Sequence, residues 1–184
     1  MTLNYWYSDT SIIGKWTTSP TVWFSKLDSS GSFAFLSGLM NGRSIWNNAL
    51  GLSIVVTSAG NGSTAPIKYY GGTKSQIDTL NIFAPVPSTE LGATTITSSS
   101  LGGVHYYNNN PKTWRIINNV IGYVVSRSDM NYNNYIKTAS HEMGHALGWF
   151  GHPISYQSTW VMQQGKLENI SLAINEKNHL AQIY

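Results

Sequence analysis

The chain has 184 residues, no cysteine and a net charge of +3, and only 10% of its residues are charged, against about 25% in an ordinary soluble domain. The length suits a single domain with a real core, expected to span residues 1–184. Zero cysteines exclude disulfides, thiolate metal sites and a cysteine nucleophile, and the scattered Lys and Arg form no stripe that would track phosphates, so nucleic acid is not an expected partner.

Two short β-like runs come first, Leu3 to Tyr7 and Thr21 to Ser25, with a Ser-, Gly- and Pro-bearing loop between them. From Gly31 to Leu50 the period turns helical. Phe33, Phe35, Leu36, Leu39, Met40, Trp46 and Leu50 fall within an arc of about 160°, and Gly51 can stop the helix. Strands are then expected at Leu52–Thr57, Pro66–Tyr70, Thr79–Phe83, Leu91–Thr97 and Trp114–Ile117, punctuated by Gly60-Asn61-Gly62 and Gly71-Gly72. Strand, helix, strand in that order implies a right-handed crossover and a partly parallel sheet. Asn131 to Leu147 has the pattern of a second helix, capped by Ser128 or Asp129. Residues 149–168 look irregular, and Ser171 to Tyr184 suits a third helix.

No apolar run approaches the roughly 20 residues that cross a bilayer, so no membrane partner is expected. No signal peptide is visible. A surface poor in charge and rich in Ser, Thr, Asn and Gly suits a secreted, extracellular bacterial protein, with Met1 then following a removed leader.

The chemistry concentrates in His141-Glu142-Met143-Gly144-His145-Ala146-Leu147-Gly148-Trp149-Phe150-Gly151-His152. Two histidines four apart stand one above the other on a helix, so their nitrogens can converge on one tetrahedral zinc ion. Glu142 points to the side of that pair. Zinc lowers the pKa of a water it binds to about 7, and Glu142 can take that water's proton as it attacks a carbonyl. With five His and four Glu in the chain, His-Glu-x-x-His arises by chance about 0.003 times, which disfavours a coincidence. The apolar residues Tyr132, Tyr135, Ile136, Ala139, Met143, Ala146 and Leu147 lie on the far side of the wheel, so the His pair should face a cleft.

A catalytic zinc needs one more protein ligand. No Asp follows Asp129, which removes a downstream aspartate. His152 is favoured, because Gly148 can end the helix in a left-handed conformation and turn the chain back. Glu168 and Glu176 are its rivals.

This stretch resembles the metzincin zinc-peptidase signature His-Glu-x-x-His-x-x-Gly-x-x-His, with one extra residue before the third His, so that Gly151 occupies the family's ligand position. The resemblance implies an α+β fold: a twisted mixed β-sheet backed by two helices (N-terminal subdomain about 1–148) above a small irregular C-terminal subdomain (about 149–184) with a terminal helix. It implies one catalytic Zn2+, a peptide or protein substrate, and a monomer. Met162 falls where the family's Met-turn lies beneath the zinc. Astacins and serralysins carry a zinc-bound tyrosine two residues later; Gln164 stands there, so the chain resembles the matrixin branch more. Residues 31–50 would be the backing helix. Gly92, Ala93 and Thr94 would begin the edge strand that binds an extended substrate by β-augmentation.

His105 lacks the neighbours of a structural zinc site and should be an ordinary histidine. Glu176 and His179 suit a mutual hydrogen bond. Four dispersed Asp build no calcium loop, so calcium is not expected. The rival functions are a zinc-binding but catalytically silent module and a glycan-binding domain that uses surface aromatics.

Overall fold

The computed structural model describes residues 13–30, 32–50, 57–96, 101–107, 110–116, 119–149, 151–153, 155–181 and 184. In chain order the elements are β1 (Ile13–Trp16), β2 (Thr21–Lys26), α1 (Phe35–Leu50), β3 (Thr57–Ser58), β4 (Ile67–Gly72), α2 (Lys74–Asp78), β5 (Gly92–Thr95), β6 (Leu101–Tyr107), β7 (Asn110–Ile116), β8 (Val120–Val125), α3 (Tyr132–Ala146) and α4 (Ile174–Ala181).

The fold is mixed α+β. Five strands form one sheet in the order β3-β2-β4-β8-β5, parallel throughout except for the antiparallel edge strand β5. α1 connects the parallel strands β2 and β3, the crossover that the strand, helix, strand order requires. A second sheet has the order β1-β7-β6. Because successive side chains of a strand point to opposite faces, β8 sends Val120 and Val124 into the main core with Val22, Ile67 and Tyr69. It sends Tyr123 and Val125 into a smaller cluster with Ile77 and Val86.

α1 and α3 pack together in the main core through glycine. A Cβ added at Gly38 would stand 2.9 Å from the Tyr135 carbonyl oxygen, and one at Gly42 would stand 2.9 Å from Ser140 Cα. The Trp46 indole N–H closes the contact on the Ser140 carbonyl at 2.8 Å.

Several expectations shift. Leu36 and Met40 are 44% and 53% exposed, since the small residues Gly38 and Gly42 make the close approach to α3. Tyr132 is likewise exposed. Thr79–Phe83 is not a strand: a capping box between Thr73 and Gln76 starts α2 just before it, and Asn81 then turns at φ 55. α3 is capped by Asn131, whose side chain exchanges hydrogen bonds with Asn134, while Asp129 pairs with Arg127 and Lys166. The terminal helix is shorter than expected, Ile174–Ala181. Leu3–Tyr7, Gly51 and nearly all of Leu52–Thr57 lie outside the described residues. Among the described residues no helix is long and apolar enough to cross a membrane.

Candidate metal centre

The centre starts from a helix that must end abruptly. α3 carries His141 and His145 one turn apart. Past it, Gly148 takes φ 104 and Gly151 φ 109, backbone angles that suit glycine. The Trp149 amide folds back onto the Gly144 carbonyl at 3.0 Å. The chain therefore returns along the helix, and His152 reaches the pair. His141 Nε2 stands 3.1 Å from His145 Nε2 and 3.2 Å from His152 Nε2. Among the described residues this is the one His, Asp or Glu group that could hold a metal ion.

The proton positions follow from the partners. His141 Nδ1 faces the Val161 carbonyl at 2.9 Å, and His145 Nδ1 faces the Trp149 carbonyl at 2.5 Å. A carbonyl only accepts, so both Nδ1 atoms donate, and each neutral ring presents a bare lone pair at Nε2. Two bare lone pairs 3.1 Å apart have no proton to share, and a cation between them resolves the conflict. Burial pushes the His145 and His152 pKa values down to about 4 and that of His141 well down, with the neighbouring rings adding to the effect on His141 and His145. The rings are thus neutral and ligand-ready at ordinary pH.

Glu142 is 4% exposed and lies on the same cleft, a cavity of about 850 Å3. Its Oε2 accepts from the Thr94 hydroxyl at 2.8 Å. The Tyr69 hydroxyl donates to the Glu142 carbonyl at 2.6 Å and lies 2.8 Å from Thr94 Oγ1. Burial raises the Glu142 pKa to about 8, against the lowering effects of Thr94 and Lys137.

Gly92, Ala93 and Thr94 lie on the edge strand β5 and line this cleft. Gly92 lets the strand lie close to α3: a Cβ there would stand 3.1 Å from Glu142 Cγ and 3.0 Å from Thr138 Cγ2. The Thr94 side chain reaches inward, where its hydroxyl meets the Glu142 carboxylate at 2.8 Å, the Glu142 carbonyl at 3.0 Å and the Tyr69 hydroxyl.

Met162 is fully buried, with its sulfur against the backbone of α3: a Cβ on Gly144 would meet Met162 Sδ at 2.4 Å. Its amide donates to Glu176 Oε1 at 2.7 Å, and the Ala173 amide donates to Glu176 Oε2 at 2.8 Å. Glu176 is therefore a buried cap that ties α4 to the Met162 turn and is no part of the histidine group. Glu168 accepts from Asn131 Nδ2 at 2.5 Å, also away from the histidines. Both carboxylate rivals of His152 are thereby occupied elsewhere. The side chains of His105 and His179 lie outside the described parts.

Two further residues belong to this neighbourhood. Tyr69 holds Glu142 through its hydroxyl, and Lys137, 2% exposed, lines the cleft. Lys137 had a visible signal, since it precedes His141 by four residues and shares the helix face of the His pair. Tyr69 had none, because only tertiary packing brings its hydroxyl to Glu142, 73 residues away.

No protein-family model matches the chain, and no curated protein is similar to it. Two solved structures of myroilysin resemble it. One is 13% identical with a TM-score of 0.46 and covers 99% of this chain and 93% of that one. The other is 12% identical with a TM-score of 0.43 and covers 99% and 97%.

Proposed function

We propose that the chain is a zinc-dependent endopeptidase of metzincin type. The observation that carries this reading is the convergence of three histidine Nε2 atoms, two of them with Nδ1 fixed on a carbonyl, beside a buried glutamate on one cleft. Imidazole nitrogens at about 2.0–2.1 Å from a tetrahedral zinc stand about 3.3 Å apart, and the 3.1 and 3.2 Å separations fit that ion. His141, His145 and His152 would hold it. An all-imidazole set suits zinc and is unlike the oxygen cages of calcium. When bound, the ion supplies Lewis acidity: it polarises the scissile carbonyl, lowers the pKa of the attacking water to about 7, and draws the Glu142 pKa back down.

The chain's own groups do the rest. Glu142 accepts the proton of the attacking water and passes it to the leaving amine. Thr94 and Tyr69 hold Glu142 in position, one at the carboxylate and one at the backbone. The edge strand β5 offers unpaired backbone N–H and C=O groups, against which an extended peptide can lie across the cleft. Met162, packed against Gly144, supports the helix under the His pair.

Glu142→Gln keeps the size and removes the base. The variant should retain equimolar zinc and lose at least about 100-fold in kcat on a fluorogenic peptide library. Cleavage by this variant at the wild-type rate would sink the mechanism. Wild-type protein that binds zinc and cuts no peptide, with or without a chelator, would leave a silent metal-binding module.

A further inference from the structure

Lys137, His141 and His145 follow one another at intervals of four residues, so they form a row along one face of α3, with Lys137 about 6 Å along the axis from His141. Lys137 is 2% exposed, yet it lines the cleft. Its Nζ donates to the carbonyl oxygens of Gln163 and Gly165, the latter at 3.2 Å. Those partners carry no charge. The ion pairs among the described residues are Lys74–Asp78, Arg127–Asp129 and Lys166–Asp129, and none includes Lys137. Glu142 and Glu176, the carboxylates whose charge reaches it, are bound to Thr94 and to backbone amides.

A buried ammonium without a counter-charge is costly to keep, and burial lowers the Lys137 pKa to about 8. Two of its three N–H groups meet the carbonyls, and the third bonds no acceptor among the described residues. Arg127 and Lys166 line the same cleft and share the single carboxylate of Asp129. Glu90, a further acid on the cleft, has its pKa raised by burial. Lys137 is thus a buried cation on the cleft wall with no carboxylate bonded to it, in a place of low dielectric where a substrate carboxylate is held strongly.

We propose that Lys137 selects an acidic residue, Asp or Glu, flanking the bond to be cut, with its ammonium meeting the substrate carboxylate inside the cleft. This rests on the peptidase function proposed above and adds the class of substrate.

The test uses the zinc-loaded protein and matched peptides that carry Glu or Gln at either residue flanking the cut. Lys137→Gln keeps an N–H donor toward the two carbonyls without the charge, and Lys137→Arg keeps the charge. Wild type should favour Glu over Gln by about tenfold or more in kcat/KM, as expected for a hydrogen bond to a charged group. Lys137→Gln should bring that ratio to about one, and Lys137→Arg should preserve a preference. A wild-type ratio near one, with chelator-sensitive cleavage intact, overturns the role of Lys137 and leaves the peptidase standing. Calorimetry gives a readout free of turnover: the Glu peptide should bind metal-free wild type about tenfold more tightly than the Gln peptide, and Lys137→Gln should abolish the difference. Equal binding by wild type overturns the proposal even if no peptide is cut, an outcome that would separately end the peptidase reading.

Discussion

α1 and α3 lie against each other and bury themselves in opposite ways. α1 hides one side, with Phe35, Leu39 and Trp46 buried and Leu36 and Met40 in solvent. α3 is buried continuously from Asn134 to Gly144, polar residues included. A helix covered on all sides must find a partner for each polar group. Asn134 bonds Asn131 and the Leu167 carbonyl, Lys137 bonds two carbonyls, His141 bonds Val161, and Glu142 bonds Thr94. The Ser140 hydroxyl is the exception. One helix thus supports the fold, whereas the other both supports it and carries the proposed chemistry. Substitutions should separate the two.

The largest effect is expected at the proposed metal ligands. His152→Ala should weaken zinc binding by at least about 100-fold, the upper end of what changes behind the ligands cost. Glu176→Ala should leave affinity within a few-fold and lower thermal stability instead, because it orphans the Met162 and Ala173 amides. Zinc titration with a competing chelator, run beside thermal melts, distinguishes the two, and retention of zinc by His152→Ala would return the third ligand to the glutamates.

Next comes Lys137, through pH. Its pKa falls from the ordinary 10.5 to about 8, so between those values the unfolded chain binds more protons than the folded one, and stability gains as pH rises. The cost of the buried ammonium is full below about pH 8 and relieved towards 10.5. Stability measured for wild type and Lys137→Met should therefore shift in favour of wild type by up to about 3 kcal/mol across that window. A difference independent of pH would show that the ammonium has found a counter-charge.

Smaller effects test the shared face of the helices. Gly42→Ala should lose about 1–2 kcal/mol of unfolding free energy, because the added Cβ meets the backbone of Ser140 and the strain exceeds the roughly 1 kcal/mol propensity gain. Leu36→Ser, on the solvent side of α1, should stay within about 0.5 kcal/mol. Equal effects in denaturant titrations would erase the contrast between the two sides.

The sequence shows the histidine spacing, the left-handed turn at Gly148 and the burial of Met162, because each is local or follows a fixed helical period. It hides what depends on distant partners. β8, the strand beside α3, has no alternation to announce it: five of its six positions are apolar, as is usual for a parallel strand covered on both faces. Gly122 interrupts it where a Cβ would meet the Tyr69 ring at 2.3 Å and the Ala93 carbonyl oxygen at 2.8 Å. α2 is too short to show a period, and its signal lay in the Thr73–Gln76 box. Glu176 looked like a possible ligand because the Met162 amide that donates to it is brought there by tertiary structure.

The two left-handed glycines between His145 and His152 bear on how such a site tolerates change in length. Gly148 and Gly151 let the backbone reverse with one residue more than the common spacing, and the three imidazoles still converge. The third histidine is placed by the handedness of two backbone joints, whereas the first two are placed by helical count. An insertion that would rotate His145 off the face of α3 by about 100° can be taken up beyond Ala146 as slack in a loop.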